Sequence, residues 1–305
     1  KKMTTSERLE WLKNRQTGIG GSDVAAILGL SKWKTPLDVY NDKIAENPIE
    51  ESNASIEWGN RLEPVIRQKY ADVTGVPVTI PTETFRHPEH QFMIANVDGL
   101  LPDGSVLEIK TARSGADWGE EGTDEIPEYY LTQVQHYMAV TGAKMCDVAV
   151  LIGASDFRIY HVDFDPEIAA MLIEEEKAFW QRVIDRNPPA PRTYAEASAA
   201  FPRSKMHTVE ASDEILHDAA ELEAVNRQIE ELKERKEELQ GHITSFMGES
   251  DTLAVAGRTI ATWRTSKPRV TFDSATFKAK HPDLYTQYCK EGKPSRRFLL
   301  KLKSE

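Results

Sequence analysis

The sequence predicts a mixed α/β (α+β) fold. It has a central mixed sheet flanked by helices, then a long helix and a small α+β C-terminal region. Three observations predict it. Two short apolar runs, Phe92–Val97 and Val106–Ile109, flank the turn dipeptide Asp103-Gly104. Two more, Met145–Gly153 and Phe157–Val162, alternate as an antiparallel pair that closes the sheet. Stretches of helical period surround these runs, and one of them, Ala211–Met247, keeps a heptad pattern.

Taken in order, Ser6–Asn14 reads as a short helix. Arg15 then enters the Gly18-Ile19-Gly20-Gly21 turn, and Ser22-Asp23 are placed to cap a helix running to about Leu28. Glycines before a capped helix start make an anion site, because free N–H groups face outward, and an upstream arginine adds a bidentate phosphate partner. A tight turn with an ordinary cap fits the same residues. Ser22–Tyr40 also resembles a helix-turn-helix, although Pro36 falls where a recognition helix should continue. The alternative is a packing helix over Leu37–Ala45, with Trp33 partly buried beside it. Ile56–Val73 is helical, with Ile56, Leu62, Val65, Ile66 and Tyr70 as its apolar stripe and Trp58-Gly59 allowing close packing on the sheet.

Val76–Phe85 is expected to be the first strand region. The loop Ser114–Pro127, rich in Gly, Asp and Glu, carries Trp118 as an anchor or a base contact. Pro127–Thr141 is a helix on which Gln133 and Gln135, two apart, face different ways. His136 reads as a satisfied histidine rather than a ligand. Pro166–Arg186 is a long amphipathic helix, and the Pro-rich segment 187–191 ends the first domain. The expected organisation is therefore a domain over 6–191, a linker over 192–210, a long helix over 211–247 and a small basic domain over 248–305. The long helix has a seam of Ile215, Leu222, Val225, Ile229, Leu232, Leu239, Ile243 and Phe246, interrupted by Asp218 and Lys236. That pattern suits either an oligomerisation helix or an arm packed on its own domain. A hairpin over Asp251–Trp263, a short helix over Thr271–Ala279 and a basic strand, Arg296–Lys301, complete the chain.

Composition narrows the function classes. At 305 residues, 40% hydrophobic and 29% charged, the chain is ordinary for a globular protein of one or two domains. It has neither an apolar run of membrane-spanning length nor an apolar signal core near Met3, so a cytoplasmic protein is expected. Cys146 and Cys289 lack metal-type spacing and read as reduced thiols. The net charge of −11 argues against a passive basic DNA coat, but the charge is uneven, with basic residues outnumbering acidic ones between Arg258 and Lys303.

The chemistry concentrates at Ile94–Arg113. Glu108 and Lys110, two apart on one strand, point to the same face, while Ile109 points the other way. Asp98, before the turn, can reach that face. Two carboxylates and an ammonium at the end of a small sheet suit metal-assisted phosphodiester hydrolysis. Hard oxygens hold Mg²⁺, or Mn²⁺, and the lysine orients water or stabilises developing charge. An ordinary solvated hairpin can carry the same residues, but these charges interrupt otherwise apolar strands.

Four blocks carry a resemblance. They are Arg15–Asp23 (RQTGIGGSD), Trp58–Glu63 (WGNRLE), the Asp98/Glu108/Lys110 core, and Tyr130–Tyr137 (YLTQVQHY). The core spacing resembles the D…(D/E)-x-K centre of restriction-endonuclease-like nucleases. The four blocks in this order resemble the YqaJ-type viral recombinase nucleases, the group that includes the phage lambda exonuclease. The resemblance implies a restriction-endonuclease-like fold and a Mg²⁺-dependent exonuclease that degrades one strand of duplex DNA from its ends, 5′ to 3′. It further implies Asp98, Glu108, the Ile109 carbonyl and Glu63 around metal, Lys110 acting on the water, and Gln133 near the water or scissile phosphate. Arg15 and Ser22 would bind the terminal 5′-phosphate, although Gly20 stands where the lambda enzyme has a hydroxyl residue. A trimeric ring, a single-strand annealing protein as partner, and a phage or prophage origin in a bacterial cytoplasm complete what it implies. Arg296 and Arg297, beside Phe298, are further DNA-contact candidates in a tail that can equally be a solvated face. Two other readings remain open. One is an endonuclease or resolvase on the same core, the other a non-catalytic DNA-binding scaffold.

Overall fold

The computed structural model describes residues 5–48, 53–205, 207–290, 292 and 296–302. Two units meet at Arg192/Thr193. In the first, α1 (Thr5–Arg15) leads through β1 (Ile19–Gly20) into α2 (Gly21–Ile27) and α3 (Pro36–Ile44). Then come α4 (Ala54–Thr74), β2 (Phe85–Arg86), β3 (Met93–Ala95), β4 (Gly99–Leu100) and β5 (Val106–Ala112). The unit continues with α5 (Glu128–Thr141), β6 (Met145–Ile152), β7 (Asp156–Asp163) and α6 (Pro166–Ile184).

The strands form two sheets. The smaller has the order β1-β3-β2, and the larger β4-β5-β6-β7. β5 and β6 run parallel, so α5 must cross over between them, while β4–β5 and β6–β7 are antiparallel. Pleating then assigns every residue of β5 to a face. Leu107 and Ile109 pack with Ile66 and Tyr70 of α4. Val106 shares the opposite cluster with Val134 and Met138 of α5. A truncation such as Leu107→Ala in this fully buried layer is expected to cost about 2–5 kcal/mol. The third cluster, Val24, Val39, Tyr40, Leu172 and Phe179, ties α2 and α3 to α6.

Several expectations change here. Phe92–Val97 is not one strand of the Asp103-Gly104 hairpin. β3 stops at Ala95 within the small sheet, and the hairpin partner of β5 is the two-residue β4. The chain passes from one sheet to the other between them, through Asn96–Asp98. Val76–Phe85 forms a single bridge, Thr79 to Leu100, and only its last residue, Phe85, belongs to a strand, β2. The cap of α2 is Gly20, with Asp23 accepting from its N–H at 3.0 Å, so Ser22 lies inside the helix. A recognition-helix role for this region does not fit, because Val24, Ala26, Val39 and Tyr40 are buried in the third cluster. Trp33 is 68% exposed, edge-on to Tyr129, and Val65 and Trp58 on α4 are also exposed. Trp118 is the loop anchor, buried against Tyr130 and Tyr160.

The second unit opens on α7 (Tyr194–Ala200), where a linker was expected. Thr193 and Glu196 form a capping box that local polarity disguised. α8 (Asp213–Met247) is a single 35-residue helix started by Ser212. β8 (Thr252–Val255) and β9 (Arg258–Thr262) form the expected hairpin, with positive φ at both Ala256 and Gly257. α9 (Ser274–Lys280), capped by Asp273, is followed by α10 (Pro282–Tyr288), which periodicity did not reveal. Arg296–Lys301 is not a strand. Instead the Tyr194 hydroxyl donates to the Arg296 carbonyl at 3.0 Å.

Candidate active site

The larger sheet brings Asp98, Glu108 and Lys110 together, and α5 adds Gln133. β4 ends at Gly99, which leaves the Ile109 N–H of β5 without a strand partner. Asp98 fills that position, its Oδ2 accepting from Ile109 N at 2.8 Å. Glu108 and Lys110 point to the face covered by α5, not to solvent, and Glu108 is 3% exposed. Lys110 Nζ donates to Glu108 Oε1 at 2.5 Å and to Gln133 Oε1 at 3.0 Å. Gln133 Nε2 donates to Glu108 Oε1 at 2.8 Å and to the Tyr137 hydroxyl at 2.9 Å. Gln133 thus holds both members of the pair, while Gln135 turns away to the Asp163 carbonyl and Asp165 N–H.

The electrostatics are unbalanced in the direction a cation would correct. Burial, then the charge of Glu108, pushes the Asp98 carboxyl up to about 7. Burial works to lower the Lys110 ammonium, but Glu108, Tyr130 and Asp98 outweigh it and raise it. Glu108 Oε2 is buried and has no hydrogen-bond partner among the described residues. A bare carboxylate oxygen beside a second carboxylate that ionises reluctantly is a hard-oxygen pair, and the set fits a divalent cation. Among the described residues no three His, Cys, Asp or Glu side chains converge as a ready metal group. Glu63 is instead held by the Arg67 guanidinium, an ion pair along α4.

Arg67 is the residue that sequence reasoning missed. Its Nη2 binds Glu63 and its Nε donates to the Asp98 carbonyl at 3.1 Å, so one guanidinium links α4 to the crossing between the sheets. The signal available was its position four residues after Glu63, which reads equally as a surface i,i+4 pair. Tyr130 was also missed. Its ring lies under Lys110, with Nζ 4.5 Å from the centroid.

Arg15 and Ser22 lie together, with Arg15 Nη2 donating to Ser22 Oγ at 3.1 Å. They line a 380 Å³ cavity with Trp11, Lys34, Asp23 and Lys43. Arg15 lies over the Trp11 ring, 4.9 Å from its centroid. Beneath them Lys43 Nζ binds Asp23 at 2.6 Å and the Arg15 carbonyl at 2.9 Å. Burial acts to raise the Asp23 carboxyl, but Lys43 and Arg15 prevail and lower it to about 2. Asp23 therefore stays ionised and fixes the arginine's backbone through Lys43. His136 is the satisfied core histidine expected, bonded to Glu176 at 2.8 Å and the Ile94 carbonyl at 2.9 Å. In the second unit Arg296 Nη1 donates to the Phe201 carbonyl at 3.2 Å, and Arg297 is exposed.

The larger sheet, with Glu108 and Lys110 inside β5 and Asp98 at its edge, defines a mixed α/β protein whose buried site is a carboxylate pair with a lysine. Residues 10–144 match the YqaJ-like viral recombinase domain. The uncharacterized protein YqaJ of Bacillus subtilis (strain 168) is 34% identical over 310 residues, covering 95% of this chain and 93% of that one. The chain belongs to the YqaJ-like viral recombinase family. Its fold is similar to that of the alkaline exonuclease LHK-Exo from Laribacter hongkongensis, at 23% identity and a TM-score of 0.50. That match covers 64% of this chain and 99% of the exonuclease. No helix among the described residues is long and apolar enough to cross a membrane.

Proposed function

We propose that the protein is a divalent-metal-dependent deoxyribonuclease that degrades one strand of linear duplex DNA from its ends, 5′ to 3′. The observation that carries this reading is the buried, unpartnered Glu108 Oε2 beside the reluctantly ionised Asp98. Asp98, Glu108 and the Ile109 carbonyl would hold Mg²⁺ or Mn²⁺, with Glu63 released from Arg67 to join them. When bound, such an ion supplies Lewis-acid polarisation of the phosphate and a water that ionises near neutral pH.

The chain's own residues do the rest. Lys110 carries a proton on Nζ and can donate a hydrogen bond to the attacking water or to charge developing on phosphate oxygen. Gln133 fixes its position, since Oε1 can only accept and so holds the ammonium in register. Arg15 and Ser22 present donors to a terminal 5′-phosphate, with Lys34 on the same cavity wall. Phosphodiester hydrolysis requires lowering the barrier by well over about 8 kcal/mol, and among the described residues this cluster is the one whose charges suit the task. The family context further supports a single-strand annealing protein as partner, a homo-oligomer such as a trimer, and action in the cytoplasm of a phage-bearing bacterium. Arg296 and Arg297 would add DNA contacts from the second unit.

The test is digestion of linear duplex DNA, with and without a 5′-phosphate, beside a closed circle, in Mg²⁺ and in EDTA. Metal-dependent loss from phosphorylated 5′ ends with the circle spared is the expected result. A nicked circle would instead make the protein an endonuclease, and binding with no cleavage a scaffold.

A further inference from the structure

α8 presents an apolar stripe that its own unit does not cover. Leu222, Val225 and Ile229 are 38%, 42% and 43% exposed, and Leu232 is 68% exposed. The stripe follows a heptad, with Ile215, Leu222 and Ile229 at a and Val225, Leu232 and Leu239 at d. Two charged residues break it, Asp218 at d and Lys236 at a. They have opposite signs and lie equally far from Arg227, on either side of it.

We propose that α8 pairs with the α8 of a second copy of this chain in an antiparallel coiled coil centred near Arg227. In antiparallel pairing a layers meet d layers, and this centre gives every seam residue from Ile215 to Leu239 a partner, with Ile243 and Phe246 beyond the overlap. Val225 meets Ile229, Leu222 meets Leu232, Ile215 meets Leu239, and Asp218 meets Lys236, each twice by symmetry. The two interruptions thus become two interchain ion pairs that fix register and direction.

A parallel pair does the opposite, since like layers face each other. Asp218 would then meet Asp218 and Lys236 would meet Lys236. The remaining charges agree with the antiparallel choice. Asp213, Glu214, Asp218, Glu221 and Glu223 crowd the N-terminal part, where no Lys or Arg occurs, while Arg227, Lys233, Arg235 and Lys236 all lie beyond it and there nearly balance Glu230, Glu231, Glu234, Glu237 and Glu238. Antiparallel overlap lays the acidic part over the part that holds the cations.

Sedimentation equilibrium of the full chain tests this without reference to nuclease activity. The wild type is expected to contain an even number of chains, which a trimer satisfies by pairing with a second trimer through α8. Asp218→Lys places lysine against Lys236 twice, and Lys236→Asp places aspartate against Asp218 twice. Each is expected to weaken pairing by roughly a hundredfold or more, halving the assembly's mass at micromolar concentration. The double variant Asp218→Lys/Lys236→Asp restores both pairs and is expected to restore the mass. Both substitutions are on an exposed helix surface, and a thermal melt of each of the three variants checks that the fold survives. A monomeric wild type, single variants with unchanged mass, or a double variant that stays dissociated would each overturn the proposal. Unchanged single variants would point to parallel pairing, and a dissociated double variant to a different protein on the stripe.

Discussion

Asp98 Oδ2 accepts the Ile109 backbone N–H at 2.8 Å, so a carboxylate completes the edge of the sheet where β4 has run out. The bond positions Asp98 next to Glu108 at the cost of burying both. Their proximity is built into the fold and has to be balanced by a proton or a cation.

The first prediction is a pH dependence. The Asp98 carboxyl is raised from 3.8 to about 7 in the folded protein, by burial and then by Glu108. Between those values the folded state holds a proton that the unfolded chain releases, so metal-free stability falls as pH rises through that window. Thermal melts in EDTA should therefore show a lower melting temperature at pH 8 than at pH 6. Asp98→Asn should flatten the slope and abolish cleavage. Mg²⁺ should raise the melting temperature of the wild type most at pH 8, where no proton competes.

Lys110 has two separable roles. Lys110→Ala should reduce cleavage by about a hundredfold or more, as expected for losing a donor aimed at developing charge. It also leaves Glu108 buried without its cation, and breaking a buried pair costs about 3–5 kcal/mol. A melt in EDTA should show that loss and a melt in Mg²⁺ should recover much of it. Equal destabilisation in both would remove the cation from the argument.

Arg67 provides a test of positioning. It holds the Asp98 carbonyl and the Glu63 carboxylate at once. Arg67→Met keeps the aliphatic stem and removes both bonds. Although Glu63 is freed, Asp98 loses the bond that fixes its backbone, and Mg²⁺ affinity, read by calorimetry, should weaken by about tenfold or more, as for other groups that orient ligands. Unchanged affinity would assign Arg67 to helix stability alone.

The pair His136 and Glu176 concerns folding rather than chemistry. Burial opposes the charge on His136, but Glu176 outweighs it and raises the imidazole above its ordinary 6.5. The stability it adds is complete below about pH 6.5 and is lost as pH rises through the raised folded value. Glu176→Ala should cost about 3–5 kcal/mol, whereas Glu176→Gln should cost less, because an amide still meets the ring nitrogen. Denaturant melts of both at pH 6 and pH 8 distinguish a shared proton from simple packing.

Much of this was readable residue by residue. The long helices α4, α6 and α8 appear as apolar stripes, and the β6–β7 pair appears as alternation, because those elements satisfy their backbones locally and show their period. Glu108 and Lys110 were placed on one face by the two-residue repeat of a strand, and Gln133 and Gln135 on different faces by the helical repeat. The small sheet was not readable. β1, β2 and β3 are two or three residues long and pair across distant segments, so no run displays a period. The same brevity made Phe92–Val97 look like one strand, when the chain changes sheets inside it.

What the sequence alone determined, then, is what depends on short-range periodicity and side-chain chemistry. That includes the helices, the long strands, the oxygen-rich character of the site and the heptad with its two charged breaks. Tertiary structure decided which groups meet. It set Asp98 against an N–H eleven residues away, joined Arg67 to the same crossing, covered Glu108 with α5 and left one of its oxygens without a donor. The physical reason is that desolvation and charge balance depend on neighbours brought from elsewhere in the chain. The energy of a carboxylate is set by what surrounds it, and no local pattern records that.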